Sequence, residues 1–196
     1  MSVDIAVNIL WGVWYVTWVA AVVWSDKTKV QMKTDMAGLH RLVSNVGMLL
    51  VFIPSASIPP TWGVFAWLGR KAWNEPDWLA WGLFALVAAS FGFCWWARVH
   101  LGRLWSGFVT LKEGHRIVDT GPYGLVRHPI YSGVMAAALA TALIRASPMA
   151  LAGFVLIVVG FAMTAGIEER FLREQLGAGA YDDYRRRVPM LVPSLR

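Results

Sequence analysis

Cysteine is nearly missing from the chain. Cys94 stands alone among 196 residues, so no internal disulfide can form and no cysteine spacing suits a metal; the residue is assigned to packing. The four histidines, His40, His100, His115 and His128, are too scattered to form a metal site, and no metal is expected. Charge is scarce too: Asp, Glu, Lys and Arg make up 15% of the residues, against roughly 25% in a soluble domain. No phosphate-binding loop, dinucleotide fingerprint, catalytic triad or internal repeat is present. The net charge of +6 comes with no basic, aromatic-interleaved nucleic-acid module, so DNA and RNA are not expected partners. What the chain does have is apolar residues, 57% of the total, and 12 tryptophans.

That excess is gathered into runs. A membrane-spanning helix needs about 20 largely apolar residues, and residues 5–24 carry no charge at all. They are read as a retained span rather than a secretory leader, because Asp4 and no basic residue precedes them. A second run covers 42–58 and is stopped by Pro59 and Pro60. Residues 61–78, rich in Trp and Gly, suit an interfacial loop. A third run, 78–97, has Trp78 and Trp81 at one end and Trp95 and Trp96 at the other, as interfacial aromatic belts require. Two more runs, 130–144 and 148–167, flank the tight turn Arg145-Ala146-Ser147-Pro148 and predict an antiparallel hairpin. The first of this pair is rich in Gly and Ala, which favours a place inside the bundle, where small residues let helices approach closely.

Basic residues set the orientation. Segments 25–41, 98–128 and 168–196 hold 15 of the 18 Lys and Arg, leaving Arg70, Lys71 and Arg145 on the other side. The positive-inside rule makes the three basic segments cytoplasmic. The expected architecture is an all-α polytopic bundle of about five spans, N-terminus outside and C-terminus in the cytoplasm. It divides into three N-terminal spans (1–97) and a half (98–196) containing the two-span hairpin and a cytoplasmic C-terminal segment. A bacterial inner membrane is the expected location, and anionic headgroups are favoured neighbours.

Two places carry candidate chemistry. Gly121-Pro122 is a turn signal, and Pro129 suits the first position of the fourth span, which makes His128 its N-cap. A helix end there attracts a carboxylate or phosphate, and Tyr131 falls one turn in on the same side as His128. The same residue types also serve as plain caps and interface anchors. Glu168-Glu169 follows the last apolar run directly, on a helix expected to stop at Gly177. Ionisable groups at that depth are costly and tend to be functional; pairing with Arg170 or Arg173 is the alternative. The hairpin brings both places to one side, so His128, Tyr131 and Glu168 are expected to line one pocket, suited to a zwitterionic or cationic ligand.

With those residues on view, the stretch 98–193 resembles the isoprenylcysteine carboxyl methyltransferase family and the related phospholipid methyltransferases. The resemblance is carried in order by Gly114-His115, Gly121-Pro122-Tyr123, Arg127-His128-Pro129-Ile130-Tyr131-Ser132-Gly133, Glu168-Glu169, Tyr181-Asp182-Asp183-Tyr184 and Arg187-Val188-Pro189-Met190-Leu191-Val192-Pro193. It implies a cytoplasm-facing S-adenosylmethionine site and a lipophilic substrate arriving through the bilayer. By the same resemblance His115, Arg116, Ile117 and Val118 contact the cofactor, Tyr123, His128, Pro129, Ile130 and Tyr131 enclose it, and Glu168 is its acidic contact. Methyl transfer in this family is direct, and no residue here is an obvious general base. One position departs from the pattern: the carboxyl-methylating members carry a basic, substrate-contacting residue one turn before the acid, and here that position is Thr164. Arg127, Arg173 or a C-terminal Arg are the candidate replacements. The expected function is methylation of a lipophilic carboxylate, amine or thiol. The competing expectations are a membrane sterol or polyprenyl reductase using NADPH, and a non-catalytic membrane protein of the same fold.

Overall fold

The computed structural model describes residues 1–24, 28–31, 38–53, 60–107, 110–112 and 117–193. Three of its helices are long and apolar enough to cross a membrane: α1 (Val3–Ala20), α4 (Asp77–Leu101) and α7 (Pro148–Leu176). Two shorter apolar helices accompany them, α2 (Leu39–Phe52) and α6 (Pro129–Arg145). The remaining helices are α3 (Val64–Gly69), α5 (Pro122–Leu125) and α8 (Ala178–Arg187). A small antiparallel ribbon adds to this helical set, pairing β1 (Thr28–Gln31) with β2 (Thr110–Lys112) through Val30↔Leu111 and Gln31↔Thr110. Its two strands lie far apart in sequence, and strands this short leave no periodicity to read. The stretch expected to be an interfacial loop contains α3, and the second run becomes α2, which ends at Phe52. Residues 54–59 lie outside the described part.

Helix α6 sits at the centre, between α4 on one side and α7 on the other. Its small residues explain the placement. Ala137, Ala138, Ala140 and Ala142 are fully buried, and a Cβ added at Gly133 would lie 2.5 Å from the Cys94 sulfur and 3.0 Å from the Ser90 carbonyl. Helix α2 approaches α7 just as closely: a Cβ at Gly47 would lie 2.5 Å from the Gly153 carbonyl oxygen. Helix α1 packs on α4 and α6 through Val7, Trp11, Val87, Phe91 and Val134. Large apolar side chains on the outer faces, such as Val16, Leu49, Leu86 and Val155, remain exposed, as lipid-facing positions should.

The ends of the hairpin are built as the residue types dictate. Ala146 takes the left-handed conformation after α6, and Ser147 caps α7 by accepting the Ala150 amide at 3.2 Å, with Pro148 in the first position. At this end of the bundle Arg145 reaches Asp4 and Asn8 of α1. At the other end of α1, Arg98 of α4 is fully buried, with no carboxylate beside it among the described residues. It donates to the Gly102, Ala21 and Trp24 carbonyls at 2.6, 2.9 and 2.7 Å and lies against the rings of Trp24 and Trp105.

Candidate active site

Where α5, α6, the end of α7, and α8 meet, the chain turns sharply at Gly121 (φ 57°). A Cβ there would lie 2.8 Å from the His100 ring, so only glycine satisfies both the backbone angle and the space. The turn starts α5 and delivers Arg127 and His128 to the head of α6, with His128 in the N-cap position. The C-terminal segment then runs across that head. The Arg127 amide donates to Pro189 O at 2.8 Å, the His128 amide to Met190 O at 3.1 Å, and the Ser132 hydroxyl to Leu191 O at 2.6 Å. Pro129 has no N–H to offer, so Ile130 and Tyr131 supply the amides that lack an intrahelical acceptor.

The two adjacent acids at the end of α7 have separate partners. Glu169 is 4% exposed and accepts the Arg127 fork at 2.7 and 3.1 Å, with His128 Nε2 3.1 Å away and Arg185 Nε 3.3 Å away. The Nη1 end of the Arg127 guanidinium donates to the Arg185 and Val188 carbonyls. Glu168 turns into a cavity. Its Oε2 accepts the Tyr131 hydroxyl at 3.0 Å and lies 3.6 Å from His128 Nδ1, while its Oε1 takes no hydrogen bond among the described residues. The rings of His128 and Tyr131 are stacked (5.3 Å, 7°), and Tyr131 stacks in turn on Phe161 (5.0 Å, 10°). Three parallel rings thus form a wall leading inward from the carboxylate.

The cavity holds about 660 Å³. Ile117, Val118, Tyr123, Arg127, His128, Pro129, Ile130, Tyr131 and Glu168, all singled out in the sequence, line it. His115 and Arg116 lie outside the described residues. Thr164 stands off the cavity wall, its hydroxyl turned back to the Gly160 carbonyl at 2.8 Å. Neither Arg173 nor Arg127 replaces a cation at that position: Arg173 is paired with Asp182 at 2.8 Å, and Arg127 with Glu169. Tyr181 and Tyr184 of α8 complete the mouth, and Tyr184 donates to Tyr123 O at 2.8 Å. Burial raises the hydroxyl pKa of Tyr123, Tyr181 and Tyr184, and the nearby Glu168 charge adds to the effect at Tyr123 and Tyr181. These hydroxyls stay protonated. Among the described residues no group of His, Cys, Asp and Glu suits a metal ion.

Sequence reasoning missed the Arg127–Glu169 pair, because its members are 42 residues apart. It also missed the inner wall from α1, although Trp11, Trp14 and Trp18 recur at helical spacing.

Residues 81–174, which carry the α6 head, the Arg127-His128 pair and both acids, match the isoprenylcysteine carboxyl methyltransferase (ICMT) family. This segment is ICMT-like. The chain is 35% identical over 172 residues to methanethiol S-methyltransferase 2 of Bradyrhizobium diazoefficiens, covering 79% of this chain and 58% of that protein. It is 31% identical over 100 residues to protein-S-isoprenylcysteine O-methyltransferase B of Arabidopsis thaliana, covering 50% of each. The cobalt-zinc-cadmium resistance protein CzcN of Cupriavidus metallidurans is 26% identical over 170 residues, covering 81% of this chain and 71% of that protein. The chain thus spans about half the length of the two methyltransferase relatives. The ICMT match and these two relatives favour methyl transfer over the reductase reading.

Proposed function

We propose that the protein is an integral membrane methyltransferase that uses S-adenosylmethionine to methylate a lipophilic acceptor, at a site facing the cytoplasm. The observation that carries this reading is the Glu168 carboxylate, held by Tyr131 and His128 with one oxygen unpaired among the described residues, at the mouth of a largely apolar cavity. The residues fit the cofactor. Glu168 offers an acceptor for its ammonium, the free amides at the head of α6 suit its carboxylate, and Tyr123, His128 and Tyr131 offer flat surfaces. When bound, S-adenosylmethionine supplies an electrophilic methyl group on a sulfonium. The chain contributes position and exclusion of water: the ring stack fixes one wall, and α8 with the C-terminal segment covers the mouth. His115 and Arg116 belong to this reading as further cofactor contacts.

The five-span topology, N-terminus outside and C-terminus inside, is part of the same proposal. So is an acceptor preference. With Thr164 turned away and Arg127 and Arg173 paired elsewhere, a carboxylate brought inside would find no cation from any of these three positions and pay several kcal/mol in desolvation. Transfer of a tritiated methyl group by the purified protein to a hydrophobic thiol, a phosphatidylethanolamine and a prenylcysteine tests both points. The thiol or the amine should be labelled, and the prenylcysteine only after Thr164→Arg. No transfer to any acceptor counts against the activity; efficient labelling of prenylcysteine by the wild type counts against the preference.

A further inference from the structure

The cavity has a second end, which the cluster around Glu168 does not use. Its walls are Trp11, Trp14, Tyr15 and Trp18 of α1 and Met48 and Phe52 of α2. On each helix these positions recur at three- and four-residue spacing, so each turns one face to the space. Helix α1 is held by α4 and α6, and α2 by α7; the cavity lies between α1 and α2. Among the described residues, the charged ones on the cavity wall, Arg127 and Glu168, both belong to the mouth.

Asn45 is out of character with this end. It lies on the same face of α2 as Met48 and Phe52, lines the cavity and is exposed. Its amide makes no hydrogen bond among the described residues, whereas the neighbouring Ser44 hydroxyl donates to the His40 and Arg41 carbonyls at 3.1 Å. Asn45 stands six residues into α2, roughly 9 Å along the axis. An unpaired amide at such depth is costly unless something binds it. Its level is set by its neighbour, since a Cβ on Gly160 would lie 2.8 Å from Ser44. Asn45 is therefore level with Phe161, the inner end of the ring stack. Glu168 lies seven residues further along α7, about 10 Å toward the mouth. One cavity thus presents a carboxylate at its mouth and a neutral amide deep among aromatic rings.

We propose that Asn45 holds and selects the methyl acceptor, an uncharged apolar molecule with one hydrogen-bonding group, such as a thiol, seated between α1 and α2. The inference rests on the methyltransferase reading above and adds the acceptor's seat to it. Among the described residues lining the cavity, Arg127 and Glu168 are confined to the mouth, whereas the Asn45 amide both donates and accepts and so suits a neutral group.

The four tryptophans near the seat, Trp11, Trp14, Trp18 and Trp105, make occupancy readable by intrinsic fluorescence in the full chain in lipid nanodiscs. Titration with 1-hexanethiol should change the emission of the wild type. In Asn45→Leu the apparent Kd should rise about tenfold, as expected for one lost hydrogen bond. Binding of S-adenosylhomocysteine, followed by calorimetry, should stay unchanged in that variant. Asn45→Gln should recover part of the loss, and hexanoate and hexylammonium should bind more weakly than the thiol. Asn45→Ala replaces Asn45→Leu under the same criteria if the latter does not fold. Unaltered thiol binding in the variant, no response to the thiol in the wild type, or hexanoate binding as tightly as the thiol would each overturn the proposal. Thiol binding that depends on Asn45 in a wild type that ignores S-adenosylhomocysteine would instead strike the methyltransferase reading and leave the seat standing.

Discussion

Glu168 and Glu169 are chemically identical neighbours whose surroundings assign them opposite tasks. Glu169 is buried against Arg127, with His128 beside it, so Glu169→Gln strands a buried guanidinium. Breaking a buried pair from one side costs about 3–5 kcal/mol, and the variant should show a markedly lower melting temperature in detergent. Glu168 faces the cavity, with one oxygen unpaired among the described residues, so Glu168→Gln should melt like the wild type. It should nevertheless bind S-adenosylhomocysteine with about 1.5–3 kcal/mol less free energy, the worth of a charge-assisted hydrogen bond. Calorimetry and a thermal melt on both variants check the assignment, and normal binding by Glu168→Gln would remove the acid from the site. The pair of acids was legible in the sequence because charge after an apolar run is conspicuous, and the resemblance singled out the first of them. The structural partner of the second was not legible, because Arg127 meets it only through the antiparallel return of α7.

Helix boundaries followed the apolar runs wherever a run ended in a capping or breaking residue, as at Pro129, Ser147-Pro148 and Gly177. How the helices lie against one another was less legible. Composition placed the Ala-rich α6 inside, but the α2–α7 contact depends on where glycines meet across two distant segments. Gly47, Gly153 and Gly160 bring those backbones so close that a Cβ at Gly153 would lie 2.6 Å from the Gly47 carbonyl. Gly153→Val should therefore force α2 away from α7. Overpacking of this kind costs about 1–3 kcal/mol; here the neighbour is backbone, which has no rotamer to give. A lowered melting temperature, with reduced S-adenosylhomocysteine affinity because α2 walls the cavity, is the expected result. A variant as stable as the wild type would contradict the tight contact.

Across the whole molecule the basic segments and the site fall on the same end of the bundle. The head of α6, the end of α7 and the last turn of α8 carry Arg127, Arg170, Arg173 and Arg185, while Arg145 closes the far end against α1. Helices α2 and α6 have 14 and 17 residues, about 21 and 25 Å of axis, short of a bilayer core of about 30 Å. For α6 the shortfall is covered by its enclosure between α4 and α7. Under the five-span proposal, reporters fused after Arg70 and after Arg196 should lie on opposite sides of the membrane; both on one side would break the topology. Sequence alone pointed to one shared pocket for His128, Tyr131 and Glu168, but not to the aromatic chamber beyond it, since periodicity does not reveal which helix faces which. Under the proposed function this cavity is a methyl-donor site. Calorimetry of the purified wild type with S-adenosylhomocysteine and with NADPH tests it most directly. Saturable binding of S-adenosylhomocysteine that is weakened in Glu168→Gln, with no heat from NADPH, is the predicted result. Binding of NADPH with none of S-adenosylhomocysteine would contradict it.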